Sequence, residues 1–163
     1  MNKRYGVLTA ALPALLVVLA YTSPKPAPQD LVNDSFPEAQ AELREVVKSI
    51  VKHAMTANFE GLQAAHLVSD KFSKSGPRSF DRQDAASTNE FEGAFFGSIS
   101  NFKQEVKDLK IDIFGNVGIA TYYLHASFVQ DGEEKTGSGR QTLVFLKTEH
   151  GWKIVHEHGT PKF

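Results

Sequence analysis

Gly137-Ser138-Gly139-Arg140-Gln141-Thr142-Leu143-Val144-Phe145 is followed, after a short polar break, by Gly151-Trp152-Lys153-Ile154-Val155-His156-Glu157-His158. These two stretches decide the fold. Both are rich in β-branched and aromatic residues, and the break between them, Glu149-His150-Gly151, is turn chemistry. Leu143, Val144, Phe145 and Leu146 are apolar on both parities, so the strand over 136–148 is expected to be covered on both faces. Asp131-Gly132 signals a hairpin to the preceding strand over 117–129. Gly115-Asn116 turns that strand back onto another, marked by Val106, Leu109, Ile111 and Ile113. Long consecutive strands joined by short turns predict an antiparallel meander ending in a strand over 152–160.

The residues before the meander have helical period. Leu43, Val46, Val47, Ile50, Val51 and Ala54 recur at three and four, which predicts a helix starting near Pro37, with Ser35 as its N-cap and Asn58 at its close. A short helix is expected over 60–67. Lys71-Phe72-Ser73 reads as a short strand and Ser75-Gly76-Pro77 as a turn. Another helix is expected from Ser87 or Thr88 to about Ser100, capped by Thr88, with Phe91, Phe95, Phe96 and Ile99 on one face. The phenylalanines read as core rather than as a substrate wall. Helices first and a meander second make an α+β domain with helices on one face of the sheet.

Composition narrows the function classes. The chain has 163 residues, 23% of them charged, which suits one folded domain and not a disordered tail. It has no cysteine, so disulfides, thiolate metal sites, cysteine nucleophiles and a lipoprotein anchor are excluded. With 18 basic and 19 acidic residues, there is no electrostatic reason to bind nucleic acid. Nucleophile-elbow, phosphate-loop and dinucleotide fingerprints are absent.

The N-terminus reads as a targeting segment. Asn2-Lys3-Arg4 is a short positive region, and residues 7–20 are apolar apart from Thr9 and Pro13. That run is shorter than a spanning helix needs and suits a signal peptide over 1–23. Export to the periplasm or the extracellular space is expected, and contact with a membrane only through an uncleaved N-terminus. Residues 24–30, with Pro24, Pro26 and Pro28 alternating, form an extended proline-rich spacer, and the domain occupies 31–163.

The order of elements and the two opening motifs, together with Asn116-Val117-Gly118-Ile119-Ala120, resemble the nuclear transport factor 2-like superfamily. The resemblance is to its SnoaL-like branch and to the association domain of calmodulin-dependent kinase II. It implies a cystatin-like cone, in which a strongly curved antiparallel sheet wraps the N-terminal helices and opens at one end as a pocket. It also implies a homodimer, often through the outer sheet face. The fold hosts isomerases, cyclases, dehydratases and binding modules, so it does not by itself fix a function. The expectation is a small organic molecule bound in the cone, with cofactor-free acid–base chemistry of isomerase, hydratase or hydrolase type if the chain is an enzyme. The alternative is a non-catalytic dimerisation or interaction module.

The candidate site residues follow from strand positions and from that resemblance. Arg140 matches an arginine that lines the pocket of the association domain, and its guanidinium suits a carboxylate ligand or an ion pair with Glu157. Tyr123, which matches a pocket position, shares a polar strand face with Thr121, His125 and Ser127. His156 and His158 share one face of the last strand, with Glu157 on the other. His125, His156 and His158 are the candidate acid–base groups, and Tyr123, Arg140 and Glu157 the candidate ligand contacts. The His156–His158 pair has chelating spacing but lacks a full ligand set, so no metal and no cofactor are expected.

Overall fold

The computed structural model describes residues 28–76 and 79–160. The signal-peptide assignment over 1–23 and residues 24–27 of the spacer lie outside the described residues. Among the described residues, three helices and six strands follow in the order α1 (Pro37–Met55), α2 (Phe59–Ala65), β1 (Ser73–Gly76), β2 (Ser79–Gln83), α3 (Ala85–Gly97), β3 (Ser100–Phe114), β4 (Val117–Gln130), β5 (Glu133–Thr148) and β6 (Gly151–Gly159). The strands form one sheet in the order β2-β1-β6-β5-β4-β3. Every pairing is antiparallel except β1 with β6, which is parallel. The α+β architecture expected from the sequence is therefore present.

Local chemistry differs from expectation at two helix starts. The N-cap of α1 is Phe36, in the left-handed region at φ 46°, and no side chain caps the helix; Ser35 stands one residue too early. Helix α3 begins three residues before Thr88, at an Asp84 cap that accepts from the Ser87 backbone N–H at 2.8 Å. Thr88 is buried within that helix, and its hydroxyl has no hydrogen-bond partner among the described residues. Asn58 closes α1 as expected, its backbone N–H donating to His53 O at 2.9 Å, and its side chain also caps α2 by accepting from Gly61 N–H. The short strand begins at Ser73, two residues later than expected.

Helix α1 lies on the concave side of the sheet. Leu43 and Val47 pack with Ile111, Ile113, Ala120, Tyr122, Leu143, Phe145, Trp152 and Ile154. At Gly118 the helix comes so close that a Cβ would collide with Leu43 Cδ2. Glu42 fastens the helix to the far end of the sheet, accepting from Trp152 Nε1 at 3.2 Å and pairing with Lys147 at 2.6 Å. The β4–β5 hairpin turns at Asp131-Gly132, both at positive φ (54° and 81°), which glycine adopts without strain.

Bulges curve the sheet and change which residues face inward. In β3 the register shifts between Lys107 and Lys110, where Asp108 has φ 54°. Phe102, Gln104 and Val106 face inward before the shift, and Leu109, Ile111 and Ile113 after it. A second shift in β3 lies between Ser100 and Lys103, at Asn101 with φ 53°. In β6 the register slips at Val155: Ile154 pairs with Phe145, but His156 pairs with Val144. Trp152 and Ile154 therefore face the core, whereas beyond the slip Glu157 does.

Candidate functional site

The open end of the cone holds a cavity of about 280 Å³ between α3, β1, β2 and the distal halves of β3–β6. Its wall is aromatic. Phe91, Phe95 and Phe96 come from one face of α3, and Phe102 and Phe128 from the inward positions of β3 and β4. The Phe95 and Phe128 rings meet edge to face at 5.5 Å, as do Phe96 and Phe102 at 5.2 Å. The α3 phenylalanines expected in the core are thus cavity wall, because the core proper is filled by α1 and α3 lies beyond its end.

A charged cluster forms the polar end of the cavity. Lys74 Nζ lies 2.8 Å from Glu92 Oε1 and 2.9 Å from Glu157 Oε1. Gln141 Nε2 donates to the same Glu157 oxygen at 2.9 Å, and His66 Nε2 lies 3.6 Å from the other. His66 Nδ1 is 2.9 Å from Asn89 Oδ1, which holds the ring. The parallel β1–β6 pairing sets Lys74 beside Glu157 in register, and α3 brings Glu92 over both.

Burial opposes the Glu157 charge, but the Lys74 ammonium and the adjacent His66 ring outweigh it and hold the carboxyl well below its ordinary range. Burial likewise pushes His66 down, yet the Glu157 carboxylate beside its Nε2 and the nearby Glu92 charge leave it above its ordinary value. Lys74 is also raised, its desolvation outweighed by Glu157 and Glu92. Tyr122, buried and facing the Glu157 charge, is raised too. Donor atoms of His66, Glu92 and Glu157 lie within 4.8 Å of one another, a spacing that could suit a metal ion. Lys74 already supplies the positive charge to both carboxylates, and its ammonium would repel a cation there.

The expected site residues fall on two sides of the sheet. Glu157 is in the cluster. Tyr123 is 47% exposed and faces outward with His125, while Tyr122, Leu124, Ala126 and Phe128 face in. Tyr123 and His125 therefore do not line the cone, a correction that the alternation of β4 makes unambiguous. His125 instead lines a shallow depression on the convex face with Lys103, Glu105, Ser127, Thr136 and Ser138. Arg140 is exposed at the edge of the cavity, pairs in register with outward Tyr123, and makes no ion pair with Glu157, whose partners are Lys74 and His66. His156 Nδ1 lies 2.9 Å from Ser73 Oγ on the outer face, and His158 is exposed. The three histidines proposed as acid–base groups are not brought together with Glu157.

Lys74 and Glu92 are not among the residues to which the sequence points, and His66, flanking a helix, reads from the sequence as a satisfied residue and not as a catalyst. Glu92 carried a signal, because it stands on the apolar stripe of α3 between Phe91 and Phe95, where a carboxylate needs a partner. Lys74 carried none, since its short strand pairs with one more than 80 residues away.

With fold and site in view, the comparisons agree. A family model described as SnoaL-like domain matches residues 43–161, and the chain belongs to that family. Among solved structures it is similar to a nuclear transport factor 2 (NTF2-like) superfamily protein from Salmonella enterica serovar Typhimurium, with 23% identity and a TM-score of 0.69 over 75% of this chain and 89% of that one. It is also similar to the S. rosetta CaMKII hub, with 21% identity and a TM-score of 0.62 over 76% of this chain and 96% of that one. A Caulobacter vibrioides protein with a cystatin-like fold aligns with 18% identity and a TM-score of 0.64, covering 77% of this chain and 91% of that one. No curated protein shows a significant match to the chain. Among the described residues, no helix is long and apolar enough to cross a membrane.

Proposed function

We propose that this chain is an exported SnoaL-like protein that binds a small organic molecule in its conical cavity. The observation that carries the reading is the joining of five phenylalanine rings to a buried ion cluster in one open cavity. An apolar wall with a few convergent polar groups is the usual make-up of a small-molecule site. Acid–base chemistry in that cavity would fall to Glu92 and Lys74, because the candidate histidines lie outside it. Export rests on Asn2-Lys3-Arg4 and the apolar run that follows. N-terminal sequencing of the protein from its host tests it: a start near residue 21–24 supports cleavage, and a retained Met1 contradicts it.

The direct test of binding is a native mass spectrum of the protein purified from its own host, beside an Ala126→Trp variant that fills the cavity. A reproducible added mass in the first and none in the second supports the reading. An unliganded mass in both favours the second reading, a dimerisation module. That reading has its own observation: Val117, Ile119, Val144 and Leu146 form a partly exposed apolar strip on the convex face, in the register pairs Val117–Leu146 and Ile119–Val144. A homodimer through this strip is compatible with a ligand in the cone.

A further inference from the structure

The polar end of the cavity has a donor and an acceptor left over. An ammonium carries three N–H donors, and Glu92 and Glu157 take two from Lys74. The Glu157 oxygens face Lys74, Gln141 and His66. Glu92 accepts a hydrogen bond only from Lys74 among the described residues, through Oε1, and the His66 ring is its other charged neighbour, so its second oxygen has no hydrogen-bond donor. Lys74 and Glu92 both line the cavity, with 15% and 16% of their side-chain surface accessible.

The charge of the cluster restricts what can dock there. An anion seated on Lys74 would also meet the Glu92 and Glu157 carboxylates. A cation seated on Glu92 would compete with Lys74 for the same oxygens. Either would be taken out of water into a cavity walled by phenylalanines, where an unbalanced charge is costly. An uncharged group that accepts from Lys74 and donates to Glu92 meets neither penalty and satisfies both leftover positions. The five rings suit a flat apolar body behind that group.

Resting on the binding reading above, the geometry points to a ligand class: flat, uncharged, mostly apolar molecules that carry an N–H or O–H donor beside a carbonyl acceptor, as a lactam does. Lys74 and Glu92 are the specificity-determining pair. Lys74 Nζ takes the carbonyl oxygen, and the free Glu92 oxygen takes the N–H. Replacing the N–H by N–methyl sets a methyl group against the Glu92 oxygen in the occupied cavity, which discriminates far more strongly than a change of apolar size.

Calorimetric titration of the full chain with four shape-matched probes tests this. The probes are quinolin-2-one, N-methylquinolin-2-one, naphthalene and 2-naphthoate. The lactam is expected to bind at least tenfold more tightly than each of the others. In Glu92→Gln the amide oxygen still faces Lys74, and its NH₂ now faces the ligand. The preference between lactam and N-methyl lactam is then expected to shrink to within threefold or reverse. Equal affinities for all four probes, each abolished by Ala126→Trp, would overturn the ligand class while leaving cavity binding intact. Tightest binding of 2-naphthoate would overturn the charge argument in the same way. Failure of every probe to bind would overturn this inference together with the binding reading.

Discussion

Tyr122 and Tyr123 are neighbours in sequence and opposites in circumstance. Tyr122 is 8% exposed and packs in the core beside the ion cluster, whereas Tyr123 is 47% exposed on the convex face. The contrast extends over the whole sheet. The concave side gathers Lys74, Glu92, Glu157, His66 and the phenylalanine wall. The convex side carries His125, His156 and His158, spread over two strands that β5 separates. Residue type alone would favour the convex side as the reactive one, since it has three of the six histidines. Burial and convergence favour the concave side, where Lys74, Glu92 and Glu157 are paired and line one cavity.

The contrast can be broken most forcefully from the concave side. Lys74→Met leaves Glu92 and Glu157 without their cation, and breaking such a buried pair typically costs about 3–5 kcal/mol. His158→Ala on the convex face is expected to change stability by no more than about 0.5 kcal/mol. Urea unfolding of the two variants checks the difference. The paired tyrosines give a closer control: Tyr122→Ala should cost about 3–5 kcal/mol by the usual scale for large core aromatics, and Tyr123→Ala well under half of that. Equal losses would mean that the β4 parity is wrong.

The pH dependence of melting sharpens the same comparison. Glu157 has its folded pKa below the ordinary 4.5, so its contribution is present above about pH 4.5 and is lost as pH falls through the lowered value. His66 has its folded pKa above the ordinary 6.5, so its contribution is full below about pH 6.5 and is lost as pH rises through the raised value. The two coincide between about pH 4.5 and 6.5, where the melting temperature should be highest. Glu157→Gln should flatten the acid limb. A modest loss is expected at the β1–β6 seam, where Ser73→Ala removes the hydroxyl beside His156 Nδ1 and should cost about 1 kcal/mol.

Much of the fold was legible because its signals are local. The period of Leu43, Val47 and Ile50 marks α1, and Asp131-Gly132 marks the central hairpin. The three-residue step from Val106 to Leu109, within a run that otherwise alternates, is the trace of the bulge at Asp108. The site was less legible, because two bulges and one parallel pairing decide it. The slip at Val155 turns Glu157 inward and His156 outward although Ile154 also faces inward, and nothing in Lys153-Ile154-Val155-His156 announces it. Lys74 reaches Glu157 only through the β1–β6 pairing. The similarity that drew Tyr123 and Arg140 into the site carries fold more faithfully than side-chain direction, and β4 places Tyr123 on the outside.

The central claim, that the ligand site lies on the concave side, is tested most directly by nuclear magnetic resonance of the full chain labelled at Phe and His rings and titrated with quinolin-2-one. The account predicts shifts in the rings of Phe95, Phe102, Phe128 and His66, with His125, His156 and His158 unmoved. Shifts at the convex-face histidines with the phenylalanine wall unmoved would contradict it.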